Sequence, residues 1–306
     1  MIAYLITIAI LVCIAGLVGL ALNLQWGLAG LVNFGVVGFV AIGAYVTALL
    51  APHVGWLPAM IAAAALSALL SGGLALLAIR LEENYLAIVT IGFGEVVRLV
   101  ILNEDWLTRG ALGIADIPRP FANLGETFGG DAVFIVFAVA LVALVFLILE
   151  GMARSPFGRA LRAIRDDATV TAALGKNVFA LRVRAFAVGG AVMGIAGALH
   201  AFYLTYIDPG QFTPIVTAYA FMAVIAGGRG SNVGLLVGAG SIMALLEGTR
   251  FLKDFITVID GVQLSALRLG LIGAGIVLLL ILRPQGLVPE PRRRAADALP
   301  RETGAS

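Results

Sequence analysis

Residues 131–150 read DAVFIVFAVALVALVFLILE, and every position from 132 to 149 is apolar. A helix needs about 20 such residues to cross the hydrocarbon core of a bilayer. Working outward on the same criterion gives further candidate spans at 3–23, 27–50, 57–79, 85–103, 181–204, 214–228, 232–250 and 264–283. Composition agrees. Of the 306 residues, 61% are hydrophobic and 12% charged, and mean hydropathy is +1.04. A soluble domain uses about 25% charged residues to cover its surface. The expected fold class is all-α: an integral membrane protein built as a polytopic helical bundle of about 8–9 transmembrane helices. Two candidates invite a break or a re-entrant path. Residues 27–50 contain Gly27, Gly30, Gly35, Gly38 and Gly43, and 214–228 is short. Irregular backbone is tolerated at membrane depth where protein buries it.

Charge sets the orientation. The 151–184 stretch carries Arg154, Arg159, Arg162, Arg165, Lys176, Arg182 and Arg184, and the end of the chain carries Arg283, Arg292, Arg293, Arg294 and Arg301. Loops rich in Lys and Arg stay in the cytoplasm, so both stretches are expected there, with Arg80 and Arg229. The 104–130 and 251–263 loops then lie outside. Nine spans put the N-terminus outside, and a re-entrant 27–50 would bring it in. Residues 1–288 form the transmembrane domain, and 289–306 form a disordered cytoplasmic tail rich in Pro and Arg. Met1-Ile2-Ala3-Tyr4 lacks the basic start of a cleaved signal, so 3–23 reads as a retained span. Cys13 is alone and can form no internal disulfide. A net charge of +2 gives no electrostatic footprint for nucleic acid.

Motifs for chemistry are lacking. Gly175-Lys176 is followed by Asn177, with Val170 where a phosphate-binding loop would need glycine. There is no H-E-x-x-H, C-x-x-C or G-x-S-x-G, and the two histidines, His53 and His200, are too few for a typical array. No catalytic, metal or cofactor site is expected. The informative segment is 155–175. Ser155-Pro156 suits a helix start, and Phe157, Leu161, Ile164 and Ala168 recur as one helical stripe. Arg159, Arg162, Arg165 and Asp166 lie off it. Such a helix either rests on anionic lipid or docks a partner, and the pattern does not choose. Inside the spans, Asn33, Tyr45, Thr90 and Glu95 are polar. Glu95 and Arg98 stand at i and i+3 and can pair. These four are candidates to line a pathway, against the plainer reading of hydrogen bonds between helices, worth about 0.6 kcal/mol each. Gly189, Gly190, Gly194 and Gly197, and again Gly234, Gly238 and Gly240, have the small-residue spacing of close helix packing.

Taken in order, these blocks resemble the LivM-type permease subunits of branched-chain amino acid ABC importers, from about residue 25 to 290. The early glycine-rich span is similar at Gly30, Asn33-Phe34-Gly35, Phe39 and Gly43-Ala44-Tyr45. Tyr85 to Thr90 with Glu95 and Arg98 follows, then Asn103, Leu107-Thr108, Gly113-Ile114 and Ile117-Pro118. The strongest block is Ser155 to Asp167 with Ala173-Leu174-Gly175. Gly227-Gly228, Gly230-Ser231, Gly234 and Arg283-Pro284-Gly286-Leu287 complete the order. The resemblance implies a multi-pass permease of the bacterial plasma (inner) membrane with a cytoplasmic C-terminus. It implies half of a pathway for branched-chain amino acids or related small polar solutes. It implies a second, LivH-like permease, two cytoplasmic ABC ATPase subunits and a periplasmic solute-binding protein. It makes 155–175 a cytoplasmic coupling helix and loop that meets the ATPase through Phe157, Arg159, Leu161, Arg162, Ile164, Arg165, Asp166, Asp167 and Gly175. The alternative is a secondary transporter or channel for a small polar solute, independent of an ATPase; no internal repeat of the kind common in such transporters is visible.

The charge argument has a direct test. Cysteines introduced at Lys176 and Ala295 are expected to resist impermeant thiol reagents in intact cells, and labelling of either from outside would refute the orientation.

Overall fold

A computed structural model describes residues 2–78, 83–121 and 130–255, with 270, 273–275, 281, 283, 286–288 and 290. Helix α1 (Ile2–Leu22) runs without interruption into a π-helical turn, Asn23–Leu28. The chain reverses over 29–35, and α2 (Val36–Val54) follows. Next come α3 (Trp56–Ala78), α4 (Glu83–Asn103) and α5 (Gly130–Arg154). Two short helices, α6 (Pro156–Asp166) and α7 (Ala168–Ala173), lead into α8 (Val178–Leu204). Helices α9 (Pro214–Gly227) and α10 (Asn232–Phe255) follow, and single helical turns lie at Asp105–Thr108, Gly110–Leu112 and Pro209–Gln211. Among the described residues, seven helical stretches are long and apolar enough to cross a membrane, and Asn232–Glu247 is a shorter apolar one. This is a multi-pass, all-α membrane protein. Most of the expected span 264–283, residue Arg80 and most of the 289–306 tail lie outside the described residues.

The 27–50 span is corrected. Gly27 and Leu28 belong to the end of the first span, and the second begins at Val36. The physical reason is a set of buried polar side chains at the break. Asn33 Oδ1 accepts from the backbone N–H of Gly35 at 2.9 Å, and Asn33 Nδ2 donates to Gln25 Oε1 at 2.8 Å. The side chain of Asn33 thus replaces the helical partners lost at the reversal.

The core is α2, α3 and α8 packed at backbone distance. A Cβ at Gly194 would lie 2.6 Å from the carbonyl oxygen of Ala63, and one at Gly197 would land on that of Val40. The second stripe works for Gly234 and Gly238, which face the backbone of α9, whereas Gly240 has open space around it. Lipid supplies no hydrophobic drive between helices, so close van der Waals contact through small residues must hold them. The outer faces of α3, α4 and α5 are apolar and open, as at Leu69, Ile88 and Leu147.

Two ends can be told apart. At one end Arg119 donates to the carbonyls of Phe202 and Tyr203, and Ile114 pairs with Ile207. The other end holds the π turn, α6, α7 and the α9–α10 turn, where Arg165 donates to Gly27 O and Arg229 stacks on Trp26.

Close packing predicts unequal cost. Gly197→Leu should lower the unfolding midpoint in detergent by an amount corresponding to about 1–3 kcal/mol or more of overpacking. Gly240→Ala should leave the midpoint nearly unchanged, since nothing stands within 4 Å of an added Cβ.

Candidate coupling end and membrane-depth polar residues

Helix α6 starts as its sequence dictates. Ser155 Oγ accepts from Phe157 N at 3.2 Å, and Pro156 takes the first helical position, where a missing N–H costs nothing. Gly158, Leu161 and Ile164 are buried, with Leu161 fully so, and Phe157 is half-buried. Gly158 has no room for a Cβ against the carbonyl of Ala153 at the end of α5. The apolar stripe therefore seats α6 on its own bundle. The expectation that Leu161 and Ile164 anchor a partner is corrected: those side chains are already spent on intramolecular packing.

The surface facing away from the bundle is built by the following turn. Asp167 Oδ1 accepts from Thr169 N at 2.8 Å and Val170 N at 2.9 Å, capping α7. Gly175 closes the turn at φ 78°, which L side chains rarely adopt. Asn177 Oδ1 then caps α8 by accepting from Ala180 N. Arg159, Asp166 and Asp167 are exposed, and so are two large apolar residues of the following turn, Val170 at 55% and Leu174 at 76% exposure. The remaining two arginines are engaged elsewhere: Arg162 and Arg165 both reach the carboxylate of Glu290.

Beneath α6 lies a buried polar hub that the motif search missed. Asn23 Nδ2 donates to Asn232 Oδ1 at 2.9 Å, and Asn23 Oδ1 accepts from Gly230 N at 2.9 Å. Asn232 Nδ2 donates in turn to Glu150 Oε2 at 2.9 Å. Gln25 Nε2 donates to the Phe186 carbonyl at 3.1 Å, which also accepts from Ser71 Oγ. The available signal was Asn23 and Gln25 themselves, two amides inside or at the edge of an apolar first span. Glu150, Asn232 and Glu290 carry no such local signal.

The four membrane-depth candidates separate. Asn33 and Thr90 are fully buried and satisfied: Thr90 Oγ1 accepts from Phe34 N at 3.0 Å and donates to Ala87 O at 2.8 Å. Thr90 holds the 29–35 reversal against α4, and Asn33 ties it back to Gln25 in the π turn. Tyr45 is buried, its ring 6.0 Å from that of Phe212, and its hydroxyl has no hydrogen-bond partner among the described residues. Glu95 and Arg98 form the expected bidentate pair, half-exposed on α4. Glu95 also borders a groove of about 150 Å³ lined by Phe34, Val37, Ile91, Gly94 and Thr217. Of the four, Glu95 alone reaches an open surface at this groove.

Among the described residues, Glu95 thus borders a shallow groove at membrane depth, and buried amides tie the π turn to the α9–α10 turn. Residues 4–282 match the family described as branched-chain amino acid transport system / permease component. The chain belongs to this permease family. It is 34% identical over 94% of its length to the high-affinity branched-chain amino acid transport system permease protein LivM of Escherichia coli, covering 70% of that protein. It is 30% identical to the probable branched-chain amino acid transport permease protein LivM of Methanocaldococcus jannaschii, over 90% of each chain. It is 23% identical to the corresponding E. coli LivH permease protein, over 90% of this chain and 91% of LivH. No solved structure matches. In this permease the hub and the α6–α7 surface share one end of the membrane domain, 

so the hub can be probed apart from any partner. Asn23→Leu leaves Asn232 and Gly230 N without their acceptor or donor at buried positions. The expected cost is about 1–3 kcal/mol, read as a lower unfolding midpoint of the purified chain in detergent.

Proposed function

We propose that the chain is one of two permease subunits of an ATP-driven importer in the bacterial inner membrane, forming half of the pathway for branched-chain amino acids or related small polar solutes. A LivH-like permease is the other half. Two ABC ATPases bind at the α6–α7 end, which is cytoplasmic, and a periplasmic solute-binding protein delivers solute to the opposite end. The reading is carried by the α7 surface. Val170 and Leu174 stand exposed on a capped turn, with Asp166, Asp167 and Arg159 exposed on the same α6–α7 segment, which is rich in Lys and Arg. Exposed apolar residues with a polar rim suit a protein partner. The anchor for the ATPase is thus Val170 and Leu174, with α6 as the rigid support that transmits its movement to the bundle.

The Glu95 groove is the pathway half. A carboxylate held by Arg98 at membrane depth is costly and so marks function. Its partly exposed position supports completion of the groove by the second permease.

Copurification tests the partners: the chain should bring down an ATPase carrying a phosphate loop and a second permease, where a secondary transporter or channel would bring down neither. In the assembled importer, Val170→Glu with Leu174→Glu should cut uptake at least about tenfold, as loss of two central apolar contacts does at interfaces, with the chain still inserted. Asp167→Lys should act in the same direction. A helix resting on lipid predicts the reverse for Asp167→Lys, since added positive charge strengthens binding to anionic headgroups and leaves uptake near normal.

A further inference from the structure

Residues 286–288 and 290 lie at the α6 end and bind there in two ways. Leu287 N donates to Ala226 O at 2.9 Å and Val288 N to Gly227 O at 3.0 Å. These are among the last carbonyls of α9, which a helix leaves without intrahelical partners. Gly286 makes this approach possible: it lies at φ 80°, and a Cβ there would collide with Gly228. The segment then delivers the Glu290 carboxylate between two arginines of α6. Arg162 Nε donates to one oxygen at 2.7 Å and Arg165 Nη2 to the other at 3.1 Å.

Each arginine uses a second nitrogen on backbone. Arg162 Nη1 donates to Ala153 O at the end of α5, at 3.1 Å, and Arg165 Nη1 donates to Gly27 O in the π turn. Glu290 also closes over Gly230, where a Cβ would lie 2.8 Å from the carboxylate, and Gly230 N is the group that binds Asn23. One carboxylate therefore joins α6, the broken end of the first span and the α9–α10 turn. The side chains of Glu290 and Arg165 are 20% and 19% exposed. At that depth charges are screened less than on a surface, and forked charge-assisted bonds are geometrically specific. Without Glu290, Arg162 would lose its carboxylate partner, and Arg165 would keep only the longer 3.4 Å pair with exposed Asp166.

We propose that Glu290 is a positioning residue for coupling: it makes α6, the π turn and the α9–α10 turn move as one body, so that displacement of α6 reaches the first span. The proposal rests on α6–α7 being the ATPase-facing end. It predicts that the link is electrostatic and depends on a carboxylate at this position.

The test has two arms. In the first, Ser231→Cys is introduced into the full chain, whose native Cys13 is buried, and its labelling by maleimide in detergent is timed. Ser231 is buried beside the turn. Adding Glu290→Gln should speed labelling about tenfold, and Glu290→Asp should keep it near the starting rate, a shift on the scale of coupling between sites. In the second arm, the importer assembled with its ATPases and binding protein is scored for radiolabelled leucine moved per ATP hydrolysed. Glu290→Gln should lower that ratio about tenfold, with hydrolysis continuing, and Glu290→Asp should stay near wild type. Unchanged labelling in Glu290→Gln, a Glu290→Asp variant as impaired as Glu290→Gln, or normal leucine transport per ATP despite faster labelling would each overturn the proposal. A wild-type assembly that neither recruits an ATPase nor moves leucine strikes the assigned function and overturns the coupling role with it, while the labelling arm still reports whether the three elements are linked.

Discussion

Backbone N–H and C=O groups at membrane depth must find partners inside the protein, because lipid offers none. The region from Asn23 to Gly35 is where this chain meets that constraint most severely. The α-helical ladder ends at Leu22, a π turn follows, and the chain reverses within the bundle. Asn33 supplies an acceptor to Gly35, Thr90 supplies one to Phe34, and Arg165 supplies a donor to Gly27 O. Each partner comes from a different distance along the chain, so the break holds α1, α2, α4 and α6 in register. An unsatisfied group in hydrocarbon would cost several kcal/mol, which is why the break recruits so many side chains.

The same physics shapes the core. Lipid solvates apolar side chains as well as the interior does, so the helices are held by close contact and by polar bonds. Glycines of α8 let α2 and α3 approach until backbones touch. Ser67 and Ser71 then donate across helices to carbonyls at Phe39 and Phe186. A rigid central trio results, with the break and its polar hub at one end.

That rigidity gives α6 its meaning. Because Leu161 and Ile164 are buried in the same subunit, α6 is seated on the bundle, and in the proposed coupling role force applied to the exposed α7 turn would pass into it. The route onward is electrostatic: Arg162 and Arg165 connect α6 with Glu290, Gly27 and Ala153. Packed elements joined by discrete ion pairs can switch between arrangements as units.

The sequence by itself determined the membrane fold, the positions of most spans, the Ser155 start of α6 and the Glu95–Arg98 pair. All of these follow from local properties: apolar run length, cap chemistry and i, i+3 spacing. The family resemblance was likewise written in the order of short motifs. Tertiary structure alone decided which way the α6 stripe faces, because an amphipathic helix has the same period whether its apolar side meets lipid, a partner or its own bundle. It also separated Asn33 and Thr90, which brace a reversal, from Glu95, which borders a groove. The first span's end and the second's start were set by Gln25 and Asn33 together with contacts from Thr90 and Arg165. Glu290 was least legible of all, since its partners lie more than a hundred residues away and an isolated Glu beyond the last span has no pattern to mark it.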